Sequence, residues 1–195
     1  LHDFWNGRTW NGGVFEGMKT YRKPVLVEEQ GRHWMGADRR HEGDNTKDNL
    51  NADLHAGLWG SLVQPLAGAT GYWWWLHVHL DDRYGEYRAL SNFLAGEDLR
   101  ARKAAGERDL EPVALAVAEP SGRLLARALA SDRRVYAWVY DRELPFKTKG
   151  FPKIQGATLA LPFLKPGKYR IEFWDTAAGK LLSARTAVVP APDMP

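Results

Sequence analysis

Apolar residues in the first half of the chain follow two alternating periods. Runs at 23–28 and 69–75 have the length of strands, and each precedes a stretch with the period of a helix, at about 47–66 and about 83–96. In the first helical stretch leucine recurs at every fourth position, at Leu50, Leu54, Leu58 and Leu62. Strands that alternate with helices predict parallel βα units, with this leucine stripe packed on the sheet.

The pattern changes after a charged stretch at 99–110, which we interpret as a linker or as the surface-lying end of the helical part. Beyond it, short strand-like runs are separated by turns rich in proline and glycine. The six runs cover 113–118, 124–129, 134–140, 157–163, 168–174 and 181–189. Their spacing predicts a small antiparallel β-sandwich of about 80–90 residues. We therefore divide the chain into a first domain at 1–106 and a second at 107–195.

The composition narrows the class of protein. The 195 residues include 44% hydrophobic and 26% charged side chains, which is typical of a globular protein of one or two domains. The net charge of +3 comes from scattered arginines rather than from a basic block, so we expect no nucleic-acid partner. No segment is apolar for long enough to span a bilayer, so we expect no membrane partner. The chain has no cysteine, which excludes disulfides and thiolate metal sites.

Two adjacent carboxylates, Glu28 and Glu29, end the first apolar run. Side chains alternate along a strand, so we expect only one of the two to point into a site. In a βα barrel the active site lies at the C-terminal ends of the strands, where this pair is placed. The alternative interpretation is a solvated pair of glutamates at the end of a strand.

Three consecutive tryptophans, Trp73, Trp74 and Trp75, end the second apolar run. Indole rings pack on the flat C–H faces of sugars, and the indole N–H can donate to a hydroxyl group. In an extended run Trp73 and Trp75 share one face and Trp74 lies on the other, so at most two rings line one pocket. The alternative is that some of these rings fill the layer between sheet and helices. We expect at least one of them to be functional.

Both motifs resemble those of clan A glycoside hydrolases, and family 5-like enzymes in particular. Residues 23–31 (Lys-Pro-Val-Leu-Val-Glu-Glu-Gln-Gly) look like the seventh-strand motif of that clan. Residues 58–62 (Leu-Trp-Gly-Ser-Leu) and 68–75 (Gly-Ala-Thr-Gly-Tyr-Trp-Trp-Trp) look like its eighth unit, and 1–4 (Leu-His-Asp-Phe) resembles the end of the sixth strand. The implied fold is α/β plus all-β. It comprises the last two to three βα units of an incomplete (β/α)8 barrel, followed by the β-sandwich.

The resemblance also implies a role for Glu29. Matched residue by residue, Glu29 stands at the position of the catalytic nucleophile, and Glu28 stands where the family often has glycine. Phe4 stands where the family has a tyrosine that bonds to the nucleophile, and Gln30 replaces the usual aromatic residue. The implied reaction is retaining, double-displacement hydrolysis of β-linked glycans, in which Glu29 forms a glycosyl-enzyme that water resolves.

This reaction needs a second carboxylic acid about 5–5.5 Å from the nucleophile. In the family that acid is the glutamate of an Asn-Glu pair at the end of the fourth strand, and the 195 residues contain no such pair. We therefore expect the acid/base to belong to a missing N-terminal barrel half, which would be a partner of this chain. The isolated chain is then expected to show no turnover. By family analogy, a secreted or periplasmic location is favoured.

Four further residues are candidates for contacts to an oligo- or polysaccharide substrate. They are His2, His33, Trp34 and His77. His77 and His79 would lie on the same side of an extended strand, a spacing that also occurs in metal sites. No third ligand is evident, so we assign no metal. No glycine-rich phosphate loop follows a strand, so we assign no cofactor either.

Two alternatives accompany this hypothesis. The aromatic face of Tyr136, Trp138 and Tyr140 could be a sugar platform, but we interpret it as core because aromatic side chains dominate sandwich interiors. The whole chain could also be a non-catalytic carbohydrate-binding or structural protein that only grips a polysaccharide.

Overall fold

A computed structural model of the chain describes residues 24–31, 47–64, 66–100, 102–142 and 153–191. These parts combine helices in the first half with antiparallel sheets in the second. The helices are α1 (Lys47–Leu62), α2 (Trp75–Leu80) and α3 (Tyr84–Phe93). The strands are β1 (Glu111–Leu115), β2 (Val117–Ala118), β3 (Leu124–Ala130), β4 (Val135–Asp141), β5 (Thr158–Leu159), β6 (Gly167–Asp175) and β7 (Lys180–Val189).

Two extended segments of the first half run parallel to one another. The backbone N–H of Gln30 donates to the carbonyl of Gly71 at 2.9 Å, and the N–H of Trp73 donates to the carbonyl of Gln30 at 2.8 Å. These bonds form a parallel bridge between Gln30 and Tyr72. The predicted parallel placement of the two runs is thus correct. Strands were expected at 23–28 and 69–75, but the described residues 24–28 and 69–75 form no regular strand, and an isolated bridge pairs the two runs instead.

Helix α1 covers one side of this pair with the predicted leucine stripe. Leu50, Leu54, Leu58 and Leu62 are all buried. The helix ends at Leu62 rather than near residue 66. Pro65 follows shortly after, and a proline disfavours the helical conformation at the residue before it.

The second apolar run, which ends in the three tryptophans, leads into a helix that the pattern did not predict. Trp75 begins α2, so the residues after Trp74 do not continue the extended run. Helix α3 then spans Tyr84–Phe93, shorter than the expected 83–96. Gly96 has φ of +79°, the left-handed conformation that glycine adopts readily after the end of a helix.

The second half consists of antiparallel strands in three small sheets. Strands β1, β3 and β4 form one sheet in the order β1-β3-β4, β2 pairs with β5, and β6 pairs with β7. Four of the six predicted runs match strands to within two residues. The run at 113–118 is split into β1 and β2, and the run at 157–163 is reduced to β5. No closed barrel is formed by the described residues.

One cluster of buried apolar side chains, which we call the shared core, contains residues from both halves of the chain. Its members are Leu54, Ala56, Leu58, Trp59, Leu62, Val63, Tyr72, Val78, Leu90, Trp138 and Tyr140. Trp138 and Tyr140 are stacked, with ring centroids 4.2 Å apart, and Tyr136 beside them is also buried. The interpretation of this aromatic face as core is therefore confirmed.

Phe93 at the end of α3 joins the two halves through three edge-on ring contacts. Its ring lies 5.3 Å from that of Trp59, 5.5 Å from that of Trp174 and 6.4 Å from that of Tyr136. Edge-on aromatic pairs at such separations are favourable because the positive ring edge meets a negative ring face. The helical and sheet parts thus pack together at this ring.

The segment interpreted as a linker contains a buried acid. The carboxylate of Glu107 is fully buried and accepts hydrogen bonds from the Arg134 guanidinium at 2.6 Å and the Ser131 hydroxyl at 2.7 Å. Burial raises the pKa of Glu107, but the hydrogen bonds from Arg134, Ser131 and the backbone N–H of Lys103 outweigh it and hold that pKa at about 2. The segment is therefore fixed to the β3–β4 hairpin at this point.

Within the described parts of the chain, no helix combines the length and the apolar character needed to cross a membrane.

Candidate functional site

The two glutamates of the first motif both lie at the surface. Val25 and Val27 are half-buried and Leu26 is exposed, so burial alternates up to this point. Glu28 is exposed, which continues the alternation, whereas Glu29 breaks it because it is exposed as well. The backbone explains the break, because the N–H of Gly71 donates to the carbonyl of Val27 at 3.0 Å, one residue out of register with the Gln30–Tyr72 bridge.

Gly71 is required by this irregular pairing. A Cβ atom at that position would lie 2.1 Å from the carbonyl oxygen of Glu28, a distance at which the backbone would have to move. The glycine therefore lets the tryptophan-bearing segment approach the carboxylate-bearing segment closely.

The bridged residues Gln30 and Tyr72 both face α1. The Tyr72 hydroxyl donates to the carbonyl of Leu50 at 3.0 Å, and the Gln30 side chain is buried against Gly57. A Cβ at Gly57 would lie 2.0 Å from Nε2 of Gln30. The Gln30 side chain is thus accommodated by a glycine on the facing helix.

The three tryptophans have different environments. Trp74 is half-buried and packs against the shared core, whereas Trp73 and Trp75 are 48% and 66% exposed. The backbone N–H of Trp73 donates to the carbonyl of Gln30 in the parallel bridge, and Trp75 begins α2. We refer to the exposed rings of Trp73 and Trp75 as the tryptophan surface. One of the three rings therefore contributes to packing, and the other two are exposed to solvent.

His77 is buried and is bonded to protein groups through both ring nitrogens. Nδ1 lies 2.8 Å from Oδ2 of Asp81, and Nε2 lies 3.0 Å from Oδ1 of Asn51 on α1. The expectation that His77 and His79 share one side of a strand is wrong, because both lie in α2 and residues two apart on a helix diverge. His79 is exposed and lies 3.1 Å from the Tyr84 hydroxyl.

The sequence pattern did not predict Asp81 and Asn51 as hydrogen-bond partners of His77. Asp81 could have been found from its i,i+4 spacing to His77, but only if the helix had been recognised. Asn51 is 26 residues away along the chain, and no local pattern connects it with His77.

Three of the predicted binding residues, His2, His33 and Trp34, lie outside the described residues. Among the residues that are described, no group of three or more histidine, aspartate and glutamate side chains could hold a metal ion.

Comparisons with protein families, with curated proteins and with solved structures find no match for this chain. The resemblance to glycoside hydrolases therefore rests on the motifs quoted above.

Proposed function

We propose that the chain is the C-terminal part of a retaining glycoside hydrolase that acts on β-linked glycans. Residues 1–106 would form the last two to three βα units of a (β/α)8 barrel, and 107–195 an accessory β-sandwich. The single observation that carries the proposal is the parallel bridge between Gln30 and Tyr72. It brings the carboxylate-bearing end of one segment beside the tryptophan-bearing end of the next.

The arrangement of faces supports this proposal. Gln30 and Tyr72 point towards α1, as residues on the outer face of a barrel strand point towards the helices. Trp73 follows Tyr72 and is half-exposed, in keeping with the opposite face. In a complete barrel this face lines the interior, where a sugar would meet both a carboxylate and an indole.

In the proposed mechanism Glu29 acts as the nucleophile. Its carboxylate oxygen attacks the anomeric carbon while an acid protonates the leaving glycosidic oxygen, which gives a covalent glycosyl-enzyme. The same acid, now deprotonated, removes a proton from the water that releases the sugar with retained configuration. We assign that acid/base to a barrel strand outside the 195 residues. Glu29 is exposed to solvent, whereas the nucleophile was expected to project into a sugar-sized hollow beside the indole rings.

The test compares Glu29→Gln with Glu28→Gln in an enzyme that includes the proposed N-terminal barrel half. We expect Glu29→Gln to lose turnover of aryl β-glycosides and to keep substrate binding, while Glu28→Gln retains activity. A 2-deoxy-2-fluoroglycoside should label the wild-type peptide that contains Glu29, as read by mass spectrometry. Label on another carboxylate, or full activity of Glu29→Gln, contradicts the assignment. Turnover by the isolated 195-residue chain contradicts the placement of the acid/base outside it.

The exposure of the tryptophan surface favours a second candidate function, non-catalytic binding of a polysaccharide. Trp73 and Trp75 are accessible without any rearrangement, and stacking on them needs no carboxylate. Under this alternative, Trp73→Ala and Trp75→Ala would weaken retention of the chain in gels that contain soluble β-glucan, xylan or mannan. Glu29→Gln would then change neither binding nor any activity.

A further inference from the structure

Helix α2 is too short to hold its own orientation. It has six residues, and its N-cap position, Trp74, provides no side-chain hydrogen bond. Helices of this length are not stable alone in water, so tertiary contacts must fix it. Its buried side chains are His77 and Val78.

The contacts of His77 tie three places together. Its ring bridges Asp81, which follows the end of α2, and Asn51 in the second turn of α1. Val78 and the preceding Trp74 add apolar contacts to the shared core, but such contacts do not define a direction. The hydrogen bond between His77 and Asn51 links α2 to a defined point on α1, and the bond between His77 and Asp81 fixes the ring relative to α2.

The two exposed tryptophans depend on this arrangement to different extents. The backbone of Trp73 is fixed by its hydrogen bond to the carbonyl of Gln30 in the parallel bridge. Trp75 lies outside the parallel bridge, at the first position of α2 and two residues before His77. The position of the Trp75 ring therefore follows the orientation of α2, and that of Trp73 does not.

The geometry points to His77 as a positioning residue for the tryptophan surface, which acts by anchoring α2 to α1 through Asn51. The inference rests on the proposed function in that the ligand of this surface is taken to be a β-linked glycan. Because both ring nitrogens of His77 are engaged within the protein, its role is to hold Trp75 rather than to touch the sugar.

The experiment uses the full chain labelled with 5-fluorotryptophan. Each of the nine tryptophans contributes one 19F resonance, and Trp73→Phe and Trp75→Phe assign the two that matter. We expect His77→Ala to shift or broaden the Trp75 resonance and to leave that of Trp73 in place. His79→Ala is the matched control, since it removes an exposed histidine from the same helix, and it should leave both resonances unchanged.

Binding provides the second readout, with hydroxyethylcellulose, xylan and mannan as the probes in affinity gels. We expect His77→Ala to weaken binding to the same extent as Trp75→Ala, roughly three- to tenfold for one lost stacking contact. His77→Gln, which keeps an amide able to reach one of the two partners, should fall between wild type and His77→Ala. It also serves as the variant of choice if His77→Ala does not fold.

The outcomes separate the positioning role from the function. An unchanged Trp75 resonance in a folded His77 variant overturns the inference, and so does an equal change in His79→Ala. A shifted Trp75 resonance in a chain that binds none of the three glycans supports the positioning role and counts against carbohydrate as the ligand.

Discussion

The turn between β6 and β7 packs against α3 so closely that only glycine fits, and this predicts a large effect for Gly179→Ala. Gly179 is buried, with φ of +60°, and a Cβ there would lie 2.4 Å from Cα of Ala89 and 3.0 Å from its Cβ and carbonyl oxygen. The carbonyl of Gly179 also accepts a hydrogen bond from Nδ2 of Asn92 at 3.3 Å. The turn is therefore one of the places where the sheet part meets the helical part.

The magnitude follows from three contributions. The left-handed conformation costs a residue with a Cβ roughly 1–2 kcal/mol. Forcing a methyl group into a filled contact costs about 1–3 kcal/mol, because atoms on both sides must move. Replacing glycine restricts the unfolded chain and returns about 0.4–1 kcal/mol. We expect Gly179→Ala to lower the free energy of unfolding by about 2–4 kcal/mol, a large share of the typical total of about 5–15 kcal/mol.

Gly122 provides a matched control. Its φ is +63°, but among the described residues no atom beyond its chain neighbours lies within 4 Å of the position that a Cβ would occupy. Gly122→Ala should therefore show only the conformational cost, about 1 kcal/mol or less after the gain from the unfolded state. The difference between the two variants measures the packing of the turn on α3.

The assay is urea unfolding followed by tryptophan fluorescence, with near-ultraviolet circular dichroism to detect loss of the Phe93–Trp174 contact. Ala89→Gly combined with Gly179→Ala should recover only part of the loss, because the Cα of residue 89 remains too close. If Gly179→Ala costs no more than Gly122→Ala, the turn does not rest on α3 and the reasoning is refuted.

Two other variants probe the site and the junction. Gly71→Ala should break the hydrogen bonds between the two extended segments, because its Cβ would clash with the Glu28 carbonyl oxygen. In Gly68→Ala the Cβ would make only an ordinary contact, so this control variant should be tolerated. Amide exchange should be faster in Gly71→Ala alone, and faster exchange in both variants or in neither contradicts this reasoning. Glu107→Gln should cost about 3 kcal/mol at pH 7, because the buried Arg134 guanidinium then faces a neutral amide instead of a carboxylate. The folded-state pKa of Glu107 lies near 2, below its ordinary 4.5, so the stability that it contributes is present above pH 4.5 and is lost as the pH falls towards 2. The gap between wild type and variant in urea titrations should therefore narrow over that range, and a gap independent of pH would exclude an ionised Glu107 as its cause.

The sequence alone determined the features that depend on local periodicity. The leucine stripe of α1 repeats every fourth residue and is buried, and the alternating aromatics of β4 form core as expected. The proximity of the glutamate and tryptophan segments also followed from the βα pattern, since parallel pairing places successive strand ends together. Turns with proline and glycine set most strand limits in the second half.

Only the tertiary structure decided what happens after Trp74. A run of aromatic residues is compatible with a strand, and the chain forms a helix there because His77 and Val78 find partners on α1 and in the shared core. The burial of Glu107 has the same origin, because Ser131 and Arg134 follow it by more than twenty residues and make a charged stretch into a fixed junction. Local patterns report the preferences of neighbouring residues, whereas these choices depend on groups that are brought together only when the chain has folded.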